Sequence, residues 1–236
     1  MRYIITFVFA LLATLSILAN QDVTTFLGIP VDGPKSEMVR KLKAKGFKQS
    51  PEISEALEGE FNGAKVRAYI LTNGNKVSRI MLCDAVYLTE NLIRTRFNNL
   101  CEQFKNNPKY ITLEDYSIPE NEKIMYEMSV NNKEYAAFFF QKPSVLEDPS
   151  RIQNEILPIA LEKLGYNQED LINYSEAELD SIQNNIKDDL LTECLQYSLS
   201  KAEKQKVWFI IGQYYNEFFI VMYYDNIYNQ ANGEDL

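Results

Sequence analysis

"EALEGEFNGAKVRAYILTNGNKVSRIMLC", Glu55 to Cys83, carries two Asn-Gly pairs between runs rich in β-forming residues. Asn-Gly favours a two-residue turn in which both central residues take positive φ, so the stretch reads as an antiparallel meander of strands 55–61, 65–72 and 76–83. Downstream, Thr89 is placed to cap a helix whose apolar stripe runs through Leu92, Ile93, Phe97, Leu100, Cys101 and Phe104 until Asn107-Pro108 stops it. Alternation then predicts strands at 110–116, 123–130 and 134–142, the last two joined by the turn "VNNKE". Upstream, "FLGIPVDGPKSEMVRKLKAKGF" gives a strand at 26–29, a turn at Asp32-Gly33 and Pro34 as first helical residue. Met38, Val39 and Leu42 recur at helical spacing, and Gly46 is placed as a left-handed C-cap. Every part of that motif has a folding explanation, beside the alternative that amides at the helix start hold an anion. The predicted fold is therefore α+β, an antiparallel sheet in two helix-plus-meander units that repeat in layout but not in residues.

Residues 143–205 interrupt that plan with a polar, helical stretch. Asp148-Pro149 starts one helix, with a stripe of Ile152, Ile156, Leu157, Ala160 and Leu164 ending at Gly165. The capping box "SEAE" at 175–178 starts another, with Leu179, Ile182, Ile186, Leu190, Cys194 and Tyr197 along one side. The closing hairpin "VWFIIGQYYNEFFIVMYY", Val207 to Tyr224, is apolar in both alternating sets: Trp208, Ile210 and Tyr214 on one side, Val207, Phe209 and Ile211 on the other. A sheet wetted on one face alternates instead. The expectation is a helical insertion packed on the last hairpin, at about 25 cal/mol per Å² of apolar surface covered, so that cutting out 144–204 lowers solubility. The competing expectation leaves the aromatic face on display, with Tyr214, Tyr215, Tyr223, Tyr224 and Tyr228 as partner-binding residues for a glycan or another protein, and with Tyr228 exposed.

Met1 and Arg2 precede an apolar run over 3–18 and the small and polar residues Ala19, Asn20 and Gln21, the layout of a signal peptide over 1–20. The run is shorter than the ~20 residues of a spanning helix, which predicts a periplasmic or secreted chain with no stable membrane insertion after cleavage. An uncleaved signal anchoring the chain in the inner membrane is the alternative. The remaining organisation is 21–142 for the two helix-plus-sheet units, 143–205 for the insertion, and 206–236 for the closing hairpin and acidic tail. With 24 basic and 33 acidic residues the formal charge is −9, which opposes phosphate backbones and argues against nucleic acid. "RKLKAKGFK", Arg40 to Lys48, is the most basic stretch and reads as the solvated side of one helix.

The chain has no histidine, so Ser-His-Asp and Cys-His nucleophile systems and imidazole-bound zinc are excluded. Three cysteines, Cys83, Cys101 and Cys194, leave at least one thiol unpaired within the chain. Cys101 lies on an apolar helix side as a small hydrophobe, with a Cys83–Cys101 bridge as the alternative. No P-loop, G-x-G-x-x-G or calcium loop is present, and neither a cofactor nor a metal site is predicted. Glu58 and Glu60, two apart on one strand face, are a pair of carboxylates that could serve glycosidase-type chemistry; the alternation of Ala56, Glu58 and Glu60 with Leu57, Gly59 and Phe61 favours a solvated face of a half-buried strand instead.

"FLGIPVDGPKSEMVRKLKAKGF" is similar to the opening of a family of small exported proteins of Bacteroides-like bacteria, which begin Phe-x-Gly-Ile-Pro-(Ile/Val)-Asp-Gly and reach Leu-x-x-Lys-Gly-Phe one helix later. The likeness continues in "LEGEFNG", in "FNNLCEQFKNNP" and in the tail "VMYYDNIYNQANGEDL", covering residues 26–142 and 206–236. It implies an α+β domain with helices on one face of an antiparallel sheet, distantly similar to the beta-lactamase inhibitor protein fold. It carries no activity and no functional residues. "FKNNP" departs from the family's Tyr-Gly-x-Pro, and 143–205 is a larger departure. The functional expectation is a non-catalytic exported binding or accessory protein of the bacterial envelope. The alternatives are a carboxylate-based enzyme acting on glycans or envelope polymers, and a structural component of an envelope complex docking through the long helix.

Overall fold

A computed structural model describes residues 23–143, 150, 156–167 and 173–231. The signal segment 1–20, the expected helix start at Asp148-Pro149 with Ile152, and the last five residues lie outside the described residues. The chain divides into two compact units, one formed by Val23–Lys142 with the chain from Lys204 onward, the other containing Pro143–Glu203.

The first unit opens with a correction to the reading of 26–29 as one strand. β1 (Thr25–Phe26) and β2 (Ile29–Pro30) pair with each other through Leu27 and Gly28, at φ +52° and +76°, so the chain reverses inside that segment. Gly33 takes φ +78°, and Pro34, expected as the first helical residue, is the extended cap before α1 (Lys35–Ala44), so the helix starts one residue later than expected. α1 ends in a Schellman motif: with Gly46 at φ +99°, its N–H donates to the Lys43 carbonyl at 3.1 Å and the Phe47 N–H to the Leu42 carbonyl at 3.2 Å. Both apolar residues of that motif, Leu42 and Phe47, enter the core.

β3 (Lys48–Gln49), β4 (Ala56–Phe61), β5 (Ala64–Asn73) and β6 (Lys76–Asp84) form the first meander. Asn62 and Gly63 make its first tight turn, both at positive φ. In the second, Asn73 pairs with Lys76, so the turn residues are Gly74 and Asn75, one step beyond the Asn-Gly pair. α2 (Glu90–Asn106) buries Ile93, Phe97, Leu100, Cys101 and Phe104, whereas Leu92 is 55% exposed and leaves the expected stripe. Thr89 is the extended residue before α2 but makes no side-chain cap bond.

The second half differs most from expectation. Only Tyr110–Ile111 (β7) of the expected strand 110–116 pairs in the sheet, and 123–130 holds a helix, α3 (Ile124–Val130). Alternation grouped Ile124, Tyr126, Met128 and Val130. The structure buries Ile124 and packs Met125 and Met128 on the core, an i, i+1, i+4 set, with Tyr126 and Val130 outside. β8 (Ala136–Gln141), β9 (Lys206–Tyr214) and β10 (Glu217–Asp225) complete one eight-stranded sheet in the order β3-β4-β5-β6-β10-β9-β8-β7, antiparallel throughout. Each half thus sets a helix before four strands, with α3 added between β7 and β8 in the second, and the two fourth strands, β6 and β10, lie side by side. One core cluster joins Met38 and Leu42 of α1, Ile93 and Phe97 of α2 and Ile124 of α3 to one sheet face, so these three helices lie on that face. Both sheet edges are two-residue strands, which limits edge-to-edge pairing. Cys83, Cys101 and Cys194 are all free thiols, which excludes the bridge.

The second unit contains α4 (Leu157–Lys163) and α5 (Glu176–Ala202). The Ser175–Glu178 capping box forms in both directions, Gly165 takes φ +85° after α4, and Lys163 reaches Glu193 at 2.8 Å. Ile156, Ala160 and Ile186 are buried, and Ile182, Cys194 and Tyr197 are half-buried. The side chains of Leu157, Leu179 and Leu190 lie outside the described residues.

Candidate functional site

β9 and β10 present their residues alternately to the two sheet faces. Val207, Phe209 and Ile211 are at most 4% exposed in the core, while Trp208, Ile210 and Tyr223 are half-buried on the other face. Across strands, Phe138, Trp208 and Tyr223 stack in a row, with ring centroids 6.0 and 4.1 Å apart. The Arg79 guanidinium lies over Tyr223 at 4.8 Å and is clasped by Asp225, which also accepts the Trp208 Nε1–H at 2.8 Å. Lys206 lies over Phe138 and Trp208. Each member of this row is already occupied by a neighbour, so Tyr223 acts there as a packing residue.

At the other end of the same strands the arrangement changes. Phe219 lies over Gly212, where a Cβ would come within 2.6 Å of its ring, and touches Tyr87 at 5.4 Å. Tyr87 stacks on Tyr214 at 5.7 Å and 26°, and Tyr215 meets Tyr214 edge-on at 4.7 Å and 77°. Tyr87, Tyr214 and Tyr215 are 46%, 54% and 79% exposed, with Val86 exposed beside them. Tyr215 begins the β9–β10 turn at φ +53°, a region that a bulky residue adopts at a cost. The Gln213 side chain secures the turn by donating to the Tyr215 carbonyl at 2.9 Å and contacting Ser129 at 3.3 Å.

Of the five tyrosines singled out from sequence, the fold brings Tyr214 and Tyr215 together and separates the rest. Tyr224 is corrected to a core residue: it is 2% exposed, its ring packs on Phe26 at 4.8 Å, and burial pushes its hydroxyl well above its ordinary pKa. Tyr228 is half-buried in the short turn Ile227–Asn229, with Lys204 over its ring at 5.4 Å. Tyr87 and Phe219 belong to the corner and were missed. Tyr87 sits in a connection without periodicity and reaches the corner only through the β6–β10 pairing and the Leu88–Phe218 bridge.

The remaining sequence candidates resolve into structural roles. Glu58 accepts from the Ser50 hydroxyl at 2.8 Å and Arg67 Nε at 3.3 Å, and these hold its carboxyl below its usual value. Glu60 is exposed opposite Lys65. Burial raises the Cys83 thiol to about 11 and the Cys101 thiol to about 12, away from nucleophilic use. At the start of α1, the Glu37 carboxylate lies near Gly33 and pairs with Lys41 at 2.9 Å. The Gly-Ile-Pro-Val-Asp-Gly motif instead anchors the end of the chain. Asn226 Nδ2 donates to the Val31 carbonyl and Asn229 Nδ2 to Asp32, both at 2.7 Å, while the Val77 N–H reaches the Gly33 carbonyl at 2.8 Å.

A cleft of about 220 Å³ lies between α2 and residues 112–117, lined among others by Cys101, Lys105, Asp115, Tyr116 and Phe139. Its Asp115 carboxylate is held by the Ser117 N–H and hydroxyl. Among the described residues there is no cluster of three or more metal-ligating side chains, and no helix is long and apolar enough to cross a membrane. Comparison with protein-family models, curated proteins and solved structures finds no match.

Proposed function

We propose that this is an exported, non-catalytic binding protein of the bacterial envelope that engages its partner through the aromatic corner of Tyr87, Tyr214 and Tyr215. The single observation that supports it is the coincidence of three exposed tyrosine rings with a bulky residue at positive φ, an arrangement that adds little to folding. Tyrosine offers large contact area with two rotatable bonds and a polar tip, which suits recognition. Export rests on the basic, apolar, then small-residue order of the first 20 residues. The test is affinity capture from the envelope fraction with the full exported chain and a Tyr87→Ala/Tyr214→Ala/Tyr215→Gly triple variant. The proposal predicts a specific ligand retained by the first and lost by the second; equal retention by both would refute it.

A second reading, a structural component of an envelope complex, is favoured by one observation on α5. Leu191, Leu195 and Leu199 are spaced by four and are 69%, 59% and 41% exposed, a stripe suited to a helix-docking partner. Capture that is insensitive to the tyrosine variant but abolished by Leu191→Ser/Leu195→Ser would favour it.

A further inference from the structure

Resting on the reading of the corner as a binding surface, we infer that its ligand is a neutral glycan, held by stacking of sugar rings on Tyr214 and Tyr215. Size is the first argument. A stable protein interface needs roughly 800 Å² and some 20 residues per side, whereas this corner consists of three exposed rings and their immediate neighbours. Tyr87 covers one face of Tyr214, and Tyr215, set at 77° to Tyr214 and 79% exposed, offers the more open ring, so the corner has room for one or two sugar units and too little for a protein. Chemistry is the second. The face of an aromatic ring carries negative potential, and the C–H-bearing face of a pyranose presents weakly positive hydrogens to it. The hydroxyls around a stacked sugar ring then need hydrogen-bonding groups at the rim, and the turn supplies the exposed Asn216 amide and Glu217 carboxylate.

Charge is the third argument. Glu217 is the charged residue of the turn, directly opposite Tyr214, and the chain as a whole carries −9. Sulfated, phosphorylated or uronate-rich glycans would meet repulsion there with no cation in the turn to offset it. Backbone conformation supplies the fourth. The other two tight hairpin turns of the sheet place Asn and Gly at positive φ, but this one places Tyr215 there, 79% exposed and in ring contact with Tyr214. Left-handed backbone is unfavourable for a residue with a Cβ, so glycine would serve folding better. The ring stands at this position at the expense of stability, as expected of a ligand contact.

The experiment titrates the full exported chain with neutral gluco-, xylo-, manno- and N-acetylglucosamine oligosaccharides, with an oligogalacturonate as the acidic control, by calorimetry and two-dimensional NMR. The variants are Tyr215→Gly, Tyr214→Ala and, as a control tyrosine outside the three-ring corner, Tyr126→Ala. Saturable binding of at least one neutral oligosaccharide is expected, weakened about tenfold or more by Tyr215→Gly and by Tyr214→Ala and unchanged by Tyr126→Ala. Tyr215→Gly is expected at the same time to raise Tm by about 2–4 °C, which separates lost contact from lost fold. Absence of neutral-glycan binding, or tighter binding of the acidic control, overturns the inference. If capture of a protein partner is still lost in the tyrosine variants, the binding-protein reading survives that failure; if it is not, both fall.

Discussion

Gly59 and Gly212 each carry an aromatic ring where a side chain would begin, and the two rings differ in their freedom to move. A Cβ on Gly59 would lie 2.6–2.8 Å from Cδ1, Cε1 and Cγ of Phe47, a ring 3% exposed and fixed against Phe26 by the Schellman turn. A Cβ on Gly212 would instead meet the outer atoms of the half-buried Phe219. Gly59→Ala should therefore lower stability by roughly 1–3 kcal/mol. Gly212→Ala should cost less while shifting the Phe219 and Tyr87 resonances, so chemical denaturation and NMR of the two variants check the difference. Glu122 makes a second residue-level case. Its carboxylate accepts from the Lys133 ammonium and, at 2.6 Å, from the Tyr135 hydroxyl, and these hold it below its ordinary value of 4.5. Because the folded-state pKa is the lower one, the contribution to stability is present above about pH 4.5 and is lost as pH falls through the folded value. Stability of the parent chain should drop in that acid window, and Glu122→Gln should flatten the drop; an unchanged profile would remove Glu122 from the account.

α3 shows how an element can be misread when its period is short of evidence. Seven residues with apolar side chains at both helical and strand spacing satisfy either template, and only the core decides between them. In the helix, Ile124→Ala should cost about 2–4 kcal/mol, since that side chain is fully buried, while Tyr126→Ala should stay within about 0.5 kcal/mol. A strand would place both residues on one face and give them similar costs, so a denaturant series on the two variants discriminates. The tight hairpins of the first meander were legible because their determinants are local: Asn62-Gly63 dictates its turn without help from the rest of the chain. The pairing of β6 with β10 was not legible, because nothing in either strand names a partner well over a hundred residues away. The corner divides the same way. Tyr214 and Tyr215 sit on a recognisable hairpin and could be picked from sequence, whereas Tyr87 arrives through that nonlocal pairing, and Tyr224 was misplaced because both faces of β10 are apolar.

At the scale of the whole molecule, the second half of the repeated layout is completed by strands on either side of a long excursion. β8 and β9 are neighbours in register, Phe140 opposite Lys206 and Ala136 opposite Ile210, so the chain leaves and re-enters the sheet at adjacent strand ends. Among the described residues, the members of the core that joins α1, α2 and α3 to the sheet belong to the first unit. The two adjacent strand ends can be joined by an ordinary hairpin loop of about 2–5 residues. Replacing 143–203 with such a loop should yield a chain that melts cooperatively and keeps slow amide exchange in β5, β6, β9 and β10, the four central strands of the sheet. Tyr87, Tyr214 and Tyr215 should retain their ring contacts in it, because Tyr87, Phe219, Tyr214 and Tyr215 all belong to the first unit. A shortened chain that exchanges rapidly in β9 and β10 would show instead that residues 143–203 are needed to hold the last hairpin in the sheet.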